Sequence, residues 1–281
     1  MDTEKQGGGI LIELNVRPGF SQINLPRGYV DHDNKLHKYV VVKEMSGPEE
    51  EALASMAKEA IQNSVGINQI LTGTIVSIGD VTDRSFIRRA VKEMCAGDRI
   101  AIFVGVIVIS NEDETYGFDV VCSNPKCDRG KNKIADRVDI DLKTIEPIVP
   151  EEPFKVEYTD ELPANGLFQK AKWHILTGER EKIIEDVQRQ FPGTGELTLH
   201  ILSRVISFDD KQLSFESKKD IQEAIEVVMR LRKRDRDRLR KAFLRDNAGL
   251  DMTFDYCCDV CGKQERLPIP LNKDFFLPSA T

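Results

Sequence analysis

The chain has 281 residues, of which 40% are hydrophobic and 31% charged, so it is long enough to bury a core and too apolar for wholesale disorder. Its formal net charge is -7, whereas a duplex-DNA binder normally carries a basic excess that neutralises phosphates. The N-terminal segment lacks the basic-then-apolar layout of a signal peptide, and the longest apolar run, which begins at Ile100, is too short to span a bilayer. We therefore expect no membrane segment, and reduced cysteines whose close pairs bind metal more often than they form disulfides.

The first predicted elements run from the N-terminus to an acidic helix. Residues 1–24 are Gly-rich and then alternate apolar side chains, which predicts an arm that pairs as a strand either within its own chain or with another subunit. The segment "KYVVVKEM" from Lys38 predicts a strand or hairpin. Ser46, followed by Gly, Pro and then Glu49, has the layout of a capping box that opens a helix.

Landmarks of this first region return in the same order later in the chain. The Leu-Pro pair at Leu25 returns at Leu162, the helix opening at Ser46 returns at Thr177, "ILTGTIVSIGD" from Ile70 returns as "ILSRVISFDD" from Ile201, Asp98-Arg99 returns as Asp237-Arg238, and Phe118-Asp119 before a cysteine returns as Phe254-Asp255. The sequence therefore predicts an internal duplication.

The duplication predicts the domain organisation and the fold class. Residues 1–24 form an N-terminal arm, 25–150 a first unit and 151–281 a second unit, with the Pro- and Glu-rich "TIEPIVPEEPF" as the linker near residue 150. Each unit contains a strand, several helices and a small β ribbon at a cysteine turn. We therefore expect an α+β protein that is mostly helical.

The repeat also decides an ambiguous segment. "DRIAIFVGVIVIS" from Asp98 is rich in β-branched residues and resembles a buried strand. Its counterpart, "DRDRLRKAFLRD" from Asp235, consists largely of strong helix formers. We therefore predict that both segments are helices and that the first is the more deeply buried.

Two cysteine knuckles, meaning tight turns that each present two thiolates, end the two units. Cys122 and Cys127 form the first knuckle, and Cys258 and Cys261 form the second. Tetrahedral zinc takes four such ligands, and a closed four-cysteine set is a structural site. We predict one zinc ion that joins the two knuckles.

Several alternatives remain at this site. An iron–sulfur cluster uses the same four thiolates. Cys257 could replace its neighbour Cys258, although the two-residue spacing to Cys261 and the Phe-Asp register favour Cys258. Cys95 is interpreted as a packed helix residue.

Catalytic motifs are not apparent in the sequence. The four histidines are interpreted as solvated loop residues (His32 and His37) or packing residues (His174 and His200). No Gly-rich phosphate loop, nucleophile elbow or HExxH motif occurs, so we expect no enzymatic activity.

A basic stretch supplies the alternative function. The segment from Arg230 to Arg245 could lie along a phosphate backbone, as in a zinc-ribbon adaptor that binds nucleic acid. Its interspersed Asp235 and Asp237, and the acidic whole, favour a solvated helix with local ion pairs.

Together these landmarks resemble the T4-type bacteriophage baseplate protein family. The resemblance rests on the Leu-Pro, "MSGPEEEAL", "ILTGTIVSI" and "AGDR" segments, the knuckle, and the ending "LPIPLNKDFFLP" with Phe275, Phe276 and Pro278. It extends from about Leu25 to Pro278. The four residues between Cys122 and Cys127 depart from the two-residue spacing expected there.

The resemblance implies a structural or assembly component of a contractile phage tail baseplate, at or near its hub. Such a protein would contact other baseplate, hub or tail-tube proteins and would have no small-molecule substrate. It would be found in the virion, and in the host cytoplasm during assembly.

Overall fold

The protein is described by a computed structural model that covers residues 12–17, 19–59, 64–111, 115–150, 152, 155–246 and 248–270. Helices account for 42% and strands for 29% of the structure, so the α+β class is confirmed, with a larger share of strands than "mostly helical" implies. The predicted tail residues Phe275, Phe276 and Pro278 lie outside the described residues.

The first region is built on an antiparallel sheet with the strand order β1-β2-β3-β4. Its elements in chain order are β1 (Ile12–Arg17), β2 (Phe20–Val30), β3 (Leu36–Val42), α1 (Gly47–Glu59), α2 (Ser64–Thr74), β4 (Ile75–Ile78), α3 (Arg84–Glu93) and α4 (Ala96–Ser110). β1 pairs with β2, so residues 12–17 of the predicted arm add a strand to the sheet of their own chain.

A two-stranded ribbon follows α4, and we call it ribbon one. It consists of β5 (Thr115–Val121), the short helix α5 (Asp128–Asn132) and β6 (Ala135–Asp141). The chain then makes a 3-10 turn and forms β7 (Pro147–Ile148), near the predicted linker.

The second region has a similar order of elements, with two strands instead of three before its first helix pair and one additional short strand after it. Its elements are β8 (Glu157–Glu161), β9 (Lys170–His174), α6 (Gly178–Gln190), α7 (Glu196–Leu202), β10 (Val205–Phe208), β11 (Lys211–Gln212), α8 (Lys218–Met229), α9 (Lys233–Phe243), β12 (Gly249–Leu250), β13 (Thr253–Cys257) and β14 (Gln264–Pro268). The sheet order is β11-β10-β9-β8, and β13 and β14 form ribbon two. β12 pairs with β7, so the segment before ribbon two is joined to the segment after ribbon one.

The strand pairs β3–β4 and β9–β10 have the same register. In both regions the strand before the helix pair is antiparallel to the strand after it, with one irregularity at the same place. The pairs are Val40–Ile78, Val41–Ser77 and Val42–Ile75 in the first sheet, and Ala171–Phe208, Lys172–Ser207 and Trp173–Val205 in the second. Gly79 and Asp209, which follow β4 and β10, both have positive φ angles, 54° and 46°.

α4 is a helix, as the repeat predicted, despite its β-branched sequence. All of residues 101–108 are buried, so side chains that would suit a strand are satisfied by packing on every face. The Cys95 side chain caps the helix by accepting the backbone N–H of Asp98 at 3.4 Å. Thr177 caps α6 through the N–H of Arg180, which confirms the second predicted cap.

Two apolar cores result. One contains the first sheet, its helices and both ribbons; the other contains the second sheet and its helices. The two are joined where α4 begins, because the backbone N–H of Ala96 donates to the carbonyl of Leu176 at 2.8 Å and Arg99 forms an ion pair with Glu181.

Candidate metal centre

The two ribbons face each other through aromatic side chains. In β5 every second side chain, including Phe118, is buried, so one face of ribbon one is apolar. The rings of Phe118 and Phe254 meet edge-on with centroids 5.2 Å apart. The hydroxyl of Tyr256 donates to Oδ2 of Asp136 at 3.2 Å. These contacts bring the turns of the two ribbons to the same place.

The four predicted cysteines converge between these turns. The Sγ atoms of Cys122, Cys127, Cys258 and Cys261 all lie within 4.8 Å of one another. Sγ of Cys122 is 3.8 Å from that of Cys261, and Sγ of Cys127 is 3.8 Å from that of Cys258. Four thiolates placed tetrahedrally about 2.3 Å from one ion are about 3.8 Å apart, whereas a disulfide needs about 2.0 Å. The arrangement therefore matches a mononuclear metal site.

Backbone amides help the second knuckle to carry negative charge. The pKa of Cys258 is lowered to about 7 because its sulfur accepts hydrogen bonds from the backbone N–H of Cys261 and, more weakly, of Val260, which outweigh the effect of burial. A thiolate is the species that binds metal. This knuckle is therefore preorganised for a cation.

In the first knuckle, the effects that oppose a thiolate outweigh those that favour it when no cation is present. The N–H of Asn124 donates to the Cys122 sulfur at 3.5 Å and favours its thiolate, but burial and hydrogen bonds with the other three thiols raise the pKa of Cys122 to about 12. Four sulfurs this close cannot all be negative unless a cation lies among them. Metal binding at this centre would therefore release protons.

Turn geometry closes each knuckle. Gly262 has a φ of 66°, which favours glycine, and its N–H donates to the carbonyl of Cys258 at 2.8 Å. In the first knuckle, a Cβ on Gly130 would lie 2.2 Å from the carbonyl oxygen of Asn124. α5 thus packs directly against the turn that carries the ligands.

Polar side chains clamp the two knuckles together. The hydroxyl of Ser123 donates to Oε2 of Glu265 at 2.5 Å, and Lys263 donates to the same hydroxyl. Arg129 pairs with both Asp136 in its own ribbon, at 3.0 Å, and Asp259 in the other, at 2.9 Å. The sequence carries no local signal for this clamp, because these pairs depend on how the ribbons are placed.

The other two cysteines lie away from the centre. Cys257 is exposed at the end of β13, where strand alternation turns it away from Cys258, its buried neighbour. Cys95 is buried at the start of α4, as predicted, and burial raises the pKa of its thiol.

The histidines are placed as predicted with one exception. His32 is exposed, but His37 is buried, so its assignment to a solvated loop was wrong. β3 places His37 beside Tyr29 and Phe86, and its Nε2 is 2.8 Å from Oδ2 of Asp31. Burial lowers the pKa of His174, and burial together with two arginines lowers that of His200 to about 4.

The basic stretch from Arg230 to Arg245 is largely engaged in contacts within the chain. Arg232 donates to backbone carbonyls of the turn at residues 163–165 and pairs with the fully buried Asp235 at 3.1 Å. Arg240 pairs with Asp237, and Arg245 pairs with Asp160. These contacts agree with the interpretation of local pairing.

Two buried aspartates bear on how landmarks of the two regions correspond. Asp98 and Asp235 are each the third residue of their helices, α4 and α9, and both are fully buried. If the two regions are compared helix by helix, Asp98-Arg99 corresponds to Asp235-Arg236 rather than to the Asp237-Arg238 expected from the sequence. The Asp-Arg dipeptide occurs at both places in the second region, which is why the sequence did not distinguish them.

The chain is thus an α+β protein with a four-cysteine centre formed by two ribbons. No protein-family model, curated protein or solved structure matches it. Within the described ranges, every helix is too short or too polar to span a membrane.

Proposed function

We propose that this protein is a non-catalytic structural or assembly component in which one zinc ion, bound by Cys122, Cys127, Cys258 and Cys261, joins two duplicated units. The observation that carries the proposal is that thiols 131 and 139 residues apart in sequence meet in one cluster. Its sulfur–sulfur distances of 3.8 Å are those of tetrahedral coordination. A site assembled from such distant segments stabilises the fold that brings them together.

The chemistry of the cluster favours zinc. Four thiolates fill the coordination shell of a tetrahedral ion and leave no open position for substrate, which supports a structural role. A polynuclear iron–sulfur cluster places several iron atoms between its thiolates and spreads them more widely than the 4.8 Å within which all four Sγ atoms lie here. Iron remains the second choice.

The duplication, with units 25–150 and 151–281, is supported by the shared strand register and by the matched buried aspartates. The cysteines add a further argument. If Cys122 matches Cys258 and Cys127 matches Cys261, a twofold-like arrangement requires equal cross-knuckle distances, and both are 3.8 Å. The zinc ion would then lie near the pseudo-twofold axis.

The biological setting follows from the family resemblance. We place the protein in the contractile tail baseplate of a phage, near the hub, where it contacts other baseplate, hub or tail-tube proteins. It would reach the virion from the host cytoplasm and act on no small molecule. Identification of the protein in purified particles by mass spectrometry tests this placement and separates a permanent subunit from a transient assembly factor.

The metal is tested by elemental analysis of the purified native protein and of a Cys258→Ser, Cys261→Ser variant. We expect one zinc per chain, lost in the variant together with about 10 °C or more of thermal stability. Cys257→Ser is the matched control, because it removes an exposed neighbouring thiol and should retain both the zinc and the melting temperature.

Other results would change the proposal in defined ways. Iron with sulfide would keep the four thiolates but replace zinc by a cluster. Equal zinc content in the double variant and the native protein would contradict the assigned ligands. An absence of any metal in the native protein would reject the centre.

A further inference from the structure

The two knuckles differ in length in a way that metal binding does not explain. Residues 128–134 separate Cys127 from β6, whereas only residues 262–263 separate Cys261 from β14. α5 occupies most of the longer segment and has no buried residue. Each knuckle supplies two thiolates. Arg129 and Gly130 tie the added segment to the metal centre, whereas its lysines are exposed and supply no ligand.

The added segment and the neighbouring Lys126 carry several exposed basic side chains. The side chains of Lys126, Lys131 and Lys133 are exposed, and none has an ion-pair partner within the part of the chain that the structure describes. They lie in a protein whose net charge is -7. Residues 126–134 carry four cations and one exposed carboxylate, that of Asp128, so this tip of an acidic protein attracts negative partners.

Apolar side chains lie beside these lysines. Val121 ends β5 and Ile134 follows α5, and they are 43% and 50% exposed. Val260, which is 53% exposed, adjoins Asp259, whose ion pair with Arg129 holds the second knuckle against α5. Apolar side chains with a charged rim are typical of protein–protein contact surfaces.

The surface is held in one conformation before any partner binds. Arg129 anchors α5 to both ribbons through Asp136 and Asp259, and the backbone N–H of Ile134 donates to the carbonyl of Arg129 at 2.9 Å. A preorganised surface loses less conformational entropy on binding. The tip is therefore suited to recognition.

We infer that this surface binds an acidic segment of another protein chain that carries apolar side chains. We call it the knuckle surface, and it comprises Lys126, Lys131, Lys133, Val121, Ile134 and Val260. None of these residues is aromatic, so the surface lacks the rings on which single-stranded nucleic acids stack. The inference rests on the proposed metal centre, which holds the two ribbons together.

The test uses the zinc-loaded full-length chain and three fluorescein-labelled probes. These are a short peptide of glutamates interrupted by leucines, an all-glutamate peptide of the same length, and an oligothymidylate of the same charge. We expect the glutamate–leucine peptide to bind most tightly in fluorescence anisotropy. Lys131→Glu, Lys133→Glu should weaken its binding about tenfold or more. Ile134→Ser should lower the affinity for the glutamate–leucine peptide to nearly that for the all-glutamate peptide.

The matched control is Lys233→Glu, Lys241→Glu, which makes the same charge change on exposed positions of α9 and should leave binding unchanged. If the two double variants weakened peptide binding equally, the effect would come from the net charge of the protein, and the knuckle surface would be rejected. Tightest binding of oligothymidylate would make it a nucleic-acid surface instead, and no saturable binding of any probe would also reject it. Zinc content is measured in every variant: failed binding with zinc present rejects the knuckle surface alone, whereas absence of zinc rejects the proposed centre as well.

Discussion

Helices α4 and α9 occupy matching positions in the two regions but have opposite surroundings. β2 and β12 lie against α4: a Cβ on Gly105 would be 2.5 Å from Ile23, and a Cβ on Gly97 would be 1.7 Å from the carbonyl oxygen of Ala248. In α9 only Asp235, Leu239, Ala242 and Phe243 are buried. The same position in a fold therefore accepts an almost wholly apolar helix or a highly charged one, because the number of covered faces decides which residues are stable there.

The sheets show a second difference at one matched site. Ile23 pairs with Val40 in the first sheet, and Asp160 pairs with Ala171 at the corresponding place in the second. Ile23 is fully buried among apolar side chains. Asp160, also buried, accepts the indole N–H of Trp173 at 2.8 Å and pairs with Arg245. The second region thus uses a satisfied polar contact where the first uses apolar packing.

The largest predicted effect concerns the covered face of α4. Gly97→Ala should lower the free energy of unfolding by about 3 kcal/mol or more, because its Cβ would overlap the backbone at Ala248 rather than a flexible side chain. Arg234→Ala, at the matching second position of α9, should change it by less than about 0.5 kcal/mol, because that side chain is exposed. Urea denaturation of both variants measures the difference.

Gly47→Ala, in the first turn of α1, is the control for the substitution itself, since a Cβ there meets no atom within 4 Å. If Gly97→Ala and Arg234→Ala had equal effects, the two helices would not be covered differently, and the comparison of the regions would fail.

The next effect concerns the polar contact in the second sheet. Asp160→Ala should lower the free energy of unfolding by about 2–3 kcal/mol, because it leaves the buried indole N–H of Trp173 without an acceptor. Asp160→Asn keeps an acceptor oxygen and should cost about 1 kcal/mol. Trp173 is the sole tryptophan, so its fluorescence reports the second region directly.

An Asp160→Ala variant as stable as Asp160→Asn would show that the hydrogen bond contributes little. Circular dichroism measured in parallel reports both regions. If its transition separates from that of Trp173 fluorescence, the two regions unfold independently.

Much of the local structure could be predicted from the sequence. The cap at Thr177 depends on neighbouring residues, and the helical state of α4 follows from its charged counterpart in the repeat. The cysteine set was found in the same way, because paired cysteines at matching landmarks mark both ends of a site even when the chain between them is long. Repetition supplied the long-range information that a single sequence otherwise lacks.

What could not be predicted depends on placement across elements. His37 is polar and follows a turn, yet the β2–β3 pairing puts it in the interior. The ion pair between Arg129 and Asp259 joins residues that no local pattern connects. The correspondence of Asp98 with Asp235 was missed because the Asp-Arg dipeptide occurs twice near the start of α9, and because the N-cap of α9, Arg232, is not a residue typical of helix starts.

The smallest predicted effect concerns the two matched buried aspartates and is a dependence on pH. Asp98 accepts backbone N–H groups from Arg27 and Gly28, at 2.8 and 3.0 Å, whereas Asp235 pairs with a guanidinium, that of Arg232. Burial raises the pKa of Asp98 to about 6, with these hydrogen bonds opposing the rise. An acid whose pKa is higher in the folded state binds its proton more tightly there, so its contribution to stability is largest below its unfolded pKa and declines as pH rises through the folded value.

We therefore expect the difference in free energy of unfolding between the native protein and Asp98→Asn to shift by about 2 kcal/mol between pH 4.5 and 6.5, with the native protein losing ground as pH rises. Urea denaturation at the two pH values measures it, and taking the difference between two proteins with the same four cysteines cancels the effect of pH on metal binding. Asp235→Asn is the matched comparison, because its partner is a charged side chain rather than backbone amides. A shift of the opposite sign for Asp98→Asn would mean that the hydrogen bonds from Arg27 and Gly28 outweigh burial. The backbone amides would then stabilise the charged form of Asp98 despite its burial, and the contrast drawn between the two aspartates would fail.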